Sequence, residues 1–263
     1  MMMNMNRRTF LKTTGALIAL PLIGQASASF VWGTTIARPA GSVPVLLYHD
    51  ISDQYVDEYT VSAAQFATQM EWLYNSGYQA ISLGTLRHHS IPERTVVITF
   101  DDGYASFMDF AFPLLRNYGF KATINIIGEY TGSYLSFSGN RPMLSWDEYR
   151  YLVDSGIADL GCHTYKLHIF NHRGAEGVSK ETLREDLHLF QKTMMREIGK
   201  LSEILAWPYG FYDHSTMVVA AREGFKYMLT SKRGFLDPTG PLNKIPRRNI
   251  GGDTDFSTFK SLI

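Results

Sequence analysis

The sequence predicts an α/β fold in a single domain, with parallel strands that alternate with helices. Apolar runs rich in β-branched residues recur along the chain, and segments with helical apolar spacing separate them. Neither an interdomain linker nor a low-complexity stretch divides the chain. Such alternation places the strands in a parallel sheet, open or closed, and about seven strand–helix units fit a barrel better than two domains.

The predicted strands are short apolar runs, several of which end at a carboxylate or an imidazole. In chain order they span 43–48, 95–100, 122–127, 158–162, 204–207 and 227–230, and a last strand closes at Ile250. The predicted helices span 63–74, 107–118, a segment opened by Ser145 as N-cap, the stretch from Ser179 to about Gly199, and 215–223. Residues 131–142, rich in Gly, Ser, Asn and Pro, are predicted as one long loop beside the functional site.

The N-terminus has the pattern of a cleaved export signal. A basic segment at 7–12 precedes an uncharged apolar stretch at 13–24, and 26–28 (Ala-Ser-Ala) provide a small-x-small cleavage pattern. The Arg-Arg pair that opens the basic segment resembles a twin-arginine signal, with an ordinary secretory signal as the alternative. We therefore expect residues 1–28 to be removed, leaving 29–263 as a periplasmic or secreted domain without a transmembrane span.

Charge and cysteine content exclude several classes of protein. The chain has 25 basic and 25 acidic side chains, whereas nucleic-acid-binding proteins normally carry a basic excess, so no nucleic-acid partner is expected. A single cysteine, Cys162, excludes an intrachain disulfide and a cysteine-rich zinc site. The sequence makes no prediction about the oligomeric state.

Carboxylates and imidazoles follow the ends of several predicted strands. His49 follows the first strand, Asp101 and Asp102 follow the second, and His163 follows the fourth with His168 shortly after it. Because the carboxyl ends of parallel strands meet at one end of such a fold, we expect these groups to converge. Two imidazoles and one carboxylate form a site for a divalent metal ion that leaves positions open for water and substrate. Two neighbouring carboxylates also repel each other unless a cation lies near them.

Three motifs resemble those of the metal-dependent polysaccharide deacetylases, carbohydrate esterase family four. They are Thr-Phe-Asp-Asp-Gly-Tyr at 99–104, His163-Thr164 with His168, and Pro-Tyr-Gly at 208–210, and the resemblance runs from about residue 43 to 250. The histidine spacing is one residue longer than in most members, and Ala206 stands where an arginine is usual. Together with Leu-Tyr-His-Asp at 47–50, these departures are similar to the poly-β-1,6-N-acetyl-D-glucosamine N-deacetylases of biofilm systems. That branch has a distorted (β/α) barrel of about seven strands.

The resemblance implies a role for each matching position. Asp102, His163 and His168 would bind the metal ion, with zinc expected and cobalt or nickel also suited to these ligands. Asp101 would be the general base that activates water, and His49 is the candidate general acid, because no late histidine motif is found. Arg247 or Arg248 would orient Asp101 in place of the missing arginine. The residues expected to bind or orient the substrate are Tyr104, Trp207, Pro208, Tyr209 and Arg247.

The implied activity is hydrolysis of N-acetyl groups from an N-acetylglucosamine polysaccharide, with release of acetate. Chitin oligomers and peptidoglycan are alternative substrates, and an inactive carbohydrate-binding barrel is an alternative of another class. A non-haem iron oxygenase also uses two histidines and a carboxylate, but strand–helix alternation argues against it. A glycosidase is disfavoured, because its two carboxyl groups lie about 5–10 Å apart across the sugar, which neighbouring residues rarely achieve.

Overall fold

The computed structural model describes residues 38–55, 57–86, 91–135, 139–170, 175 and 177–263. The predicted export signal at 1–28 lies outside these residues. The first part of the chain forms β1 (Val45–Tyr48), β2 (Asp50–Ile51), β3 (Thr60–Val61), α1 (Ala63–Asn75), β4 (Gln79–Ile81), β5 (Thr95–Phe100), α2 (Phe112–Tyr118), β6 (Ala122–Ile126), β7 (Tyr134–Leu135), β8 (Arg141–Pro142) and α3 (Trp146–Asp154). The second part forms β9 (Ala158–Cys162), α4 (Leu167–Phe170), α5 (Lys180–Ile198), β10 (Ile204–Ala206), α6 (His214–Arg222), β11 (Tyr227–Arg233), β12 (Ile245–Asn249) and α7 (Phe256–Ser261).

Within the described ranges, seven parallel strands close into a barrel. Their order is β1, β12, β11, β10, β9, β6 and β5, and β5 pairs with β1 to close the barrel. The short strand β4 pairs in parallel with the N-terminal half of β5. The barrel is irregular, because β9 and β10 share one register pair, Leu205 with Cys162. The register of β11 against β12 also shifts between Leu229 and Arg233. The prediction of a distorted (β/α) barrel is therefore confirmed.

Alternate residues of the barrel strands pack into two different layers. Leu46 and Ile98 belong to the large core between the strands and the surrounding helices. Val45, Val97 and Ile245 belong to a second cluster, on the opposite face of the same strands. This arrangement follows from the period of two along a strand, which sends neighbouring side chains to opposite faces. The barrel interior is therefore apolar at one end, which leaves the carboxyl ends of the strands for polar groups.

Helix boundaries follow from capping residues that the sequence predicts. The Ser145 side chain accepts the N–H of Glu148, whose carboxylate accepts the Ser145 N–H at 2.7 Å, so α3 opens with a capping box. Ser179 caps the start of α5, and Gly199 ends that helix in the left-handed conformation with φ of 79°. In the part of the chain that the structure covers, no helix combines the length and apolar character needed to cross a membrane.

The stretch 131–142 differs from its prediction as one long loop. It contains β7 and β8, which pair antiparallel with Tyr134 opposite Pro142 and Leu135 opposite Arg141. Gly139 and Asn140 have φ of 87° and 60°, left-handed values that help to turn the chain back before β8. The segment 107–118 also differs, because it begins as a π-helical turn at Phe107–Ala111 before α2.

Candidate active site

Asp102, His163 and His168 converge at the carboxyl end of the barrel. Asp102 lies just after β5, His163 just after β9, and His168 in α4. Asp102 Oδ1 lies 3.5 Å from His163 Nε2 and 3.5 Å from His168 Nε2. The three potential ligand atoms lie within 4.8 Å of one another, and all three residues are buried. The structure therefore brings together the three residues that were predicted from the sequence to bind a metal ion.

The orientation of His163 suits a metal ligand. Its Nδ1 lies 2.8 Å from the carbonyl oxygen of Ala206, which can only accept, so Nδ1 carries the hydrogen. Nε2 then presents its lone pair to Asp102 and His168, as in metal sites where a second hydrogen bond fixes the ring. Burial lowers the pKa of His163 to about 4, and the nearby Asp101 carboxylate only partly opposes that effect. The imidazole is therefore neutral at pH 7, which is the form that binds a metal.

Left-handed backbone conformations orient the side chains of the predicted metal site. Asp102 has φ of 72° and Thr164 has φ of 68°, both in the left-handed region that non-glycine residues rarely adopt. Gly103 follows with φ of 91°, and a Cβ at this position would lie 2.1 Å from the Tyr149 hydroxyl oxygen. The turn after β5 therefore needs Gly103, and it directs the Asp102 side chain towards that of His163.

The hydrogen bonding of Asp102 leaves one carboxylate oxygen available to a cation. Asp102 Oδ1 is buried, and no described residue gives it a hydrogen bond. Burial raises the pKa of Asp102 above its ordinary value, although the nearby His49 and a hydrogen bond from Tyr104 act in the opposite direction. A carboxylate oxygen beside two imidazole nitrogens is a donor set that divalent ions prefer. The residues present therefore fit a divalent metal ion.

Asp101 lies beside this set but is held by other partners. Its two oxygens accept hydrogen bonds of 2.7 Å each from Nη1 and Nη2 of Arg247, and Asn125 Nδ2 donates a third at 2.7 Å. Burial alone would raise the pKa of Asp101, but the charge of Arg247 and its hydrogen bonds hold it well below its ordinary range. Asp101 is therefore ionised at neutral pH. The environments of Asp101 and Asp102 shift their pKa values in opposite directions, as expected of two carboxylates with different roles.

The two candidate arginines lie in different surroundings. Arg247 reaches into the barrel to Asp101, whereas the Arg248 guanidinium lies 4.0 Å from the centroid of the Phe235 ring. Asn125 was missed by the sequence analysis. The sequence feature that could have identified Asn125 is its polar amide within the apolar run of β6. A buried amide needs a hydrogen-bond partner, so its position indicates a polar contact inside the barrel.

His49 lies half-buried at the mouth of the site. Its ring meets the Tyr59 ring edge-on, with centroids 5.0 Å apart, and its proximity lowers the pKa of both Asp101 and Asp102. The buried Nδ1 of His49 has no hydrogen-bond partner within the described residues. Tyr59, which the sequence analysis did not single out, is 47% exposed and forms part of the same rim.

The predicted substrate-contacting residues divide into exposed and buried groups. Tyr209 is 40% exposed, and its ring centroid lies 4.7 Å from that of His168. Trp207 is 1% exposed and stacks on Tyr212, so its ring has no face at the surface for a sugar, because the core covers it. Pro208 is also buried and opens the turn that carries Tyr209. Tyr104 is buried, and its side chain hydrogen-bonds to Asp102.

Comparisons with known proteins identify the family of the chain. The family described as polysaccharide deacetylase matches residues 88–228. A poly-β-1,6-N-acetyl-D-glucosamine N-deacetylase of Staphylococcus aureus is 26% identical over 223 residues, which cover 82% of this chain and 76% of that protein.

Solved structures share the fold. A de-N-acetylase from Aggregatibacter actinomycetemcomitans superimposes with a TM-score of 0.73 at 24% identity, over 84% of this chain and 100% of that one. A polysaccharide deacetylase from Bacillus cereus superimposes with a TM-score of 0.72 at 25% identity, over 85% of this chain and 70% of that one. The irregular parallel barrel is therefore a scaffold that deacetylases use.

Proposed function

The chain belongs to the polysaccharide deacetylase family, and from that premise we propose that it removes N-acetyl groups from an N-acetylglucosamine polymer in a metal-dependent reaction. The enzyme is a hydrolase of amide bonds. Asp102, His163 and His168 would hold the divalent ion. The observation that carries the proposal is the buried Asp102 Oδ1, which faces two imidazole nitrogens at 3.5 Å and has no other partner among the described residues.

The ion, when bound, would supply a Lewis acid that polarises the acetamide carbonyl and makes water more acidic. Asp101 is the general base: it is ionised, held rigidly by Arg247, and its Oδ2 lies 3.9 Å from His163 Nε2. A backbone N–H near Tyr104 is the candidate donor to the developing oxyanion. His49 is the general acid, because the departing nitrogen must receive a proton before the C–N bond breaks.

The proposed substrate is poly-β-1,6-N-acetyl-D-glucosamine of a biofilm matrix, by analogy with the relative from Staphylococcus aureus. The exposed ring of Tyr209 beside His168 supports a sugar-binding role, since an aromatic face packs well on the apolar side of a pyranose. Zinc is the proposed ion, because two imidazoles and a carboxylate are common zinc ligands, and cobalt and nickel are the alternatives.

We place the site in a domain of residues 29–263 that acts outside the cytoplasm, after removal of 1–28 as an export signal with a twin-arginine pattern. Mass determination of the N-terminus of protein recovered from the periplasm or medium tests this assignment. Changing the paired Arg7 and Arg8 to lysine should leave folded, uncleaved protein in the cytoplasm. Cleavage and export that persist in that variant would favour an ordinary secretory signal.

The decisive experiment measures released acetate and new free amines on poly-β-1,6-N-acetyl-D-glucosamine, on chitin pentamer and on peptidoglycan. The protein is stripped with a chelator and reloaded with zinc, cobalt or nickel, and Asp102→Asn is the control. We expect acetate from the first polymer, only with metal, and none from the control. Activity that survives both metal removal and the substitution would overturn the proposal. Glycan binding without acetate would point instead to a carbohydrate-binding barrel.

A further inference from the structure

A buried carboxylate on α5 binds the chain between the two histidines. Asp186 is 3% exposed, and its Oδ2 accepts the Tyr165 N–H at 2.7 Å while its Oδ1 accepts the Lys166 N–H at 2.9 Å. The backbone N–H of Leu167, the first residue of α4, also bonds to it. A carboxylate in this setting satisfies the free N–H groups at the start of a short helix. Here that helix carries His168.

The opposite side of the same loop rests on the turn after β6. The carbonyl of Thr164 accepts the Gly128 N–H at 3.2 Å, and the carbonyl of Tyr165 accepts the Glu129 N–H at 2.8 Å. The Tyr165 ring lies so close to Gly128 that a Cβ there would be 2.4 Å from it. The segment between the histidines is therefore held from two sides, by Asp186 and by the turn at Gly128.

The two histidines face the same carboxylate oxygen although their spacing along the chain does not favour this. Four residues separate His163 from His168, and this spacing does not place two side chains on one face of a helix or a strand. Their Nε2 atoms nevertheless both lie 3.5 Å from Asp102 Oδ1. Thr164 adopts a left-handed φ of 68° to achieve this, a conformation that persists only when its surroundings enforce it.

We propose that Asp186 is a positioning residue for the metal site, which sets the separation and orientation of His163 and His168 by fixing the backbone between them. Asp186 touches neither the ion nor the substrate in this assignment. The inference rests on the proposed metal-dependent function and deepens it, because it assigns part of the metal affinity to a carboxylate on another helix.

The test compares Asp186 with a matched residue of the same helix. Gln191 is also a buried polar residue of α5, and its amide pairs with the backbone of Ser202, which is not part of the segment between the histidines. Asp186→Asn, Asp186→Ala and Gln191→Ala are each titrated with zinc in competition with a chromophoric chelator. Unfolding temperatures are measured with and without zinc, and the visible absorption of the cobalt-loaded proteins reports the ligand geometry.

We expect Asp186→Ala to weaken zinc affinity about 10- to 100-fold and to change the cobalt spectrum, as substitutions behind metal ligands generally do. Asp186→Asn should have the same effect to a smaller degree, and Gln191→Ala should lower the unfolding temperature without either change. Zinc affinity within about twofold of wild type in the Asp186 variants, or an equal loss in Gln191→Ala, would overturn the inference. If neither Asp186 variant folds, the residue is a folding determinant and the inference is also wrong. Failure of the wild-type protein to bind zinc would instead remove the proposed function itself.

Discussion

Arg247 and Asp101 meet across the barrel interior through two parallel hydrogen bonds of 2.7 Å each. Arg247 belongs to β12 and Asp101 follows β5, and β1 lies between these strands in the sheet. Such a bidentate pair fixes the carboxylate in position as well as in charge. The Arg247 Nε also donates to the Thr230 carbonyl at 2.9 Å, so the guanidinium itself is held.

Replacing the two neighbouring arginines of β12 should give opposite results. Arg247→Met leaves Asp101 buried without its cation, so we expect the free energy of unfolding to fall by about 3–5 kcal/mol and deacetylation to be lost. None of the three Arg248 guanidinium nitrogens has a hydrogen-bond partner in the described residues, so Arg248→Met should be neutral or stabilising by about 1 kcal/mol. Urea unfolding at pH 7 measures both, and an equal loss in the two variants would contradict the assignment.

His49→Ala should separate proton donation from metal binding. Because His49 is not among the proposed ligands, the variant should retain its zinc, while kcat falls about 10²- to 10⁴-fold. Acetate release and elemental analysis of the same sample provide the two measurements. Near-normal turnover with metal bound would remove His49 from the mechanism.

Gly103→Ala should destabilise the protein for two separable reasons. The new Cβ would meet the Tyr149 hydroxyl oxygen at 2.1 Å, and the residue would keep a left-handed φ of 91°. The ring carbon Cζ lies 3.4 Å away, so Tyr149→Phe in the same chain should relieve the collision and leave the backbone cost of about 1–2 kcal/mol. A double-mutant cycle in thermal unfolding checks this coupling. Strictly additive single effects would show that the two residues do not collide.

Arg141 should contribute far more to stability than an exposed arginine. Its Nη1 donates to Asp50 Oδ2 at 2.9 Å and to Thr60 Oγ1 at 2.7 Å, and both Arg141 and Asp50 are buried. Arg141→Met should lower the free energy of unfolding by about 3–5 kcal/mol, because Asp50 would keep an unpaired buried charge. Arg150→Met is the control, since Arg150 pairs with Asp147 at the surface, where solvent screens the pair. Similar losses in the two variants, measured by denaturant unfolding, would contradict the prediction.

Cys162 should be unreactive in the folded protein. The thiol is fully buried, and burial raises its pKa well above the ordinary value, so the reactive thiolate is scarce at neutral pH. A chromogenic disulfide reagent should therefore label Cys162 readily when the protein is unfolded in denaturant. Under native conditions, labelling should be no faster than global unfolding. Rapid labelling of the native protein at pH 8 would contradict the buried placement.

Long apolar patterns were predicted closely, whereas short elements were not. The strands at 95–100 and 158–162 match β5 and β9 residue for residue. In β5 the reason is a fully buried, β-branched run between Arg94 and Asp101. β4 was not predicted, since only Ala80 of its three residues is buried and the run is too short to show a period. β7 and β8 were absorbed into a loop prediction for the same reason.

The alternation of strands and helices follows from local sequence signals alone, and the same signals identify the residues at strand ends that carry ionisable groups. Those signals are local, because they depend on period, capping residues and the residue types within a few positions. Which of these groups come into contact depends on the folded barrel. Arg247 rather than Arg248 reaches Asp101, Asn125 and Asp186 support the site from other elements, and Trp207 packs inside instead of facing a sugar. Such pairings depend on barrel closure and strand twist, which bring together residues that lie far apart along the chain.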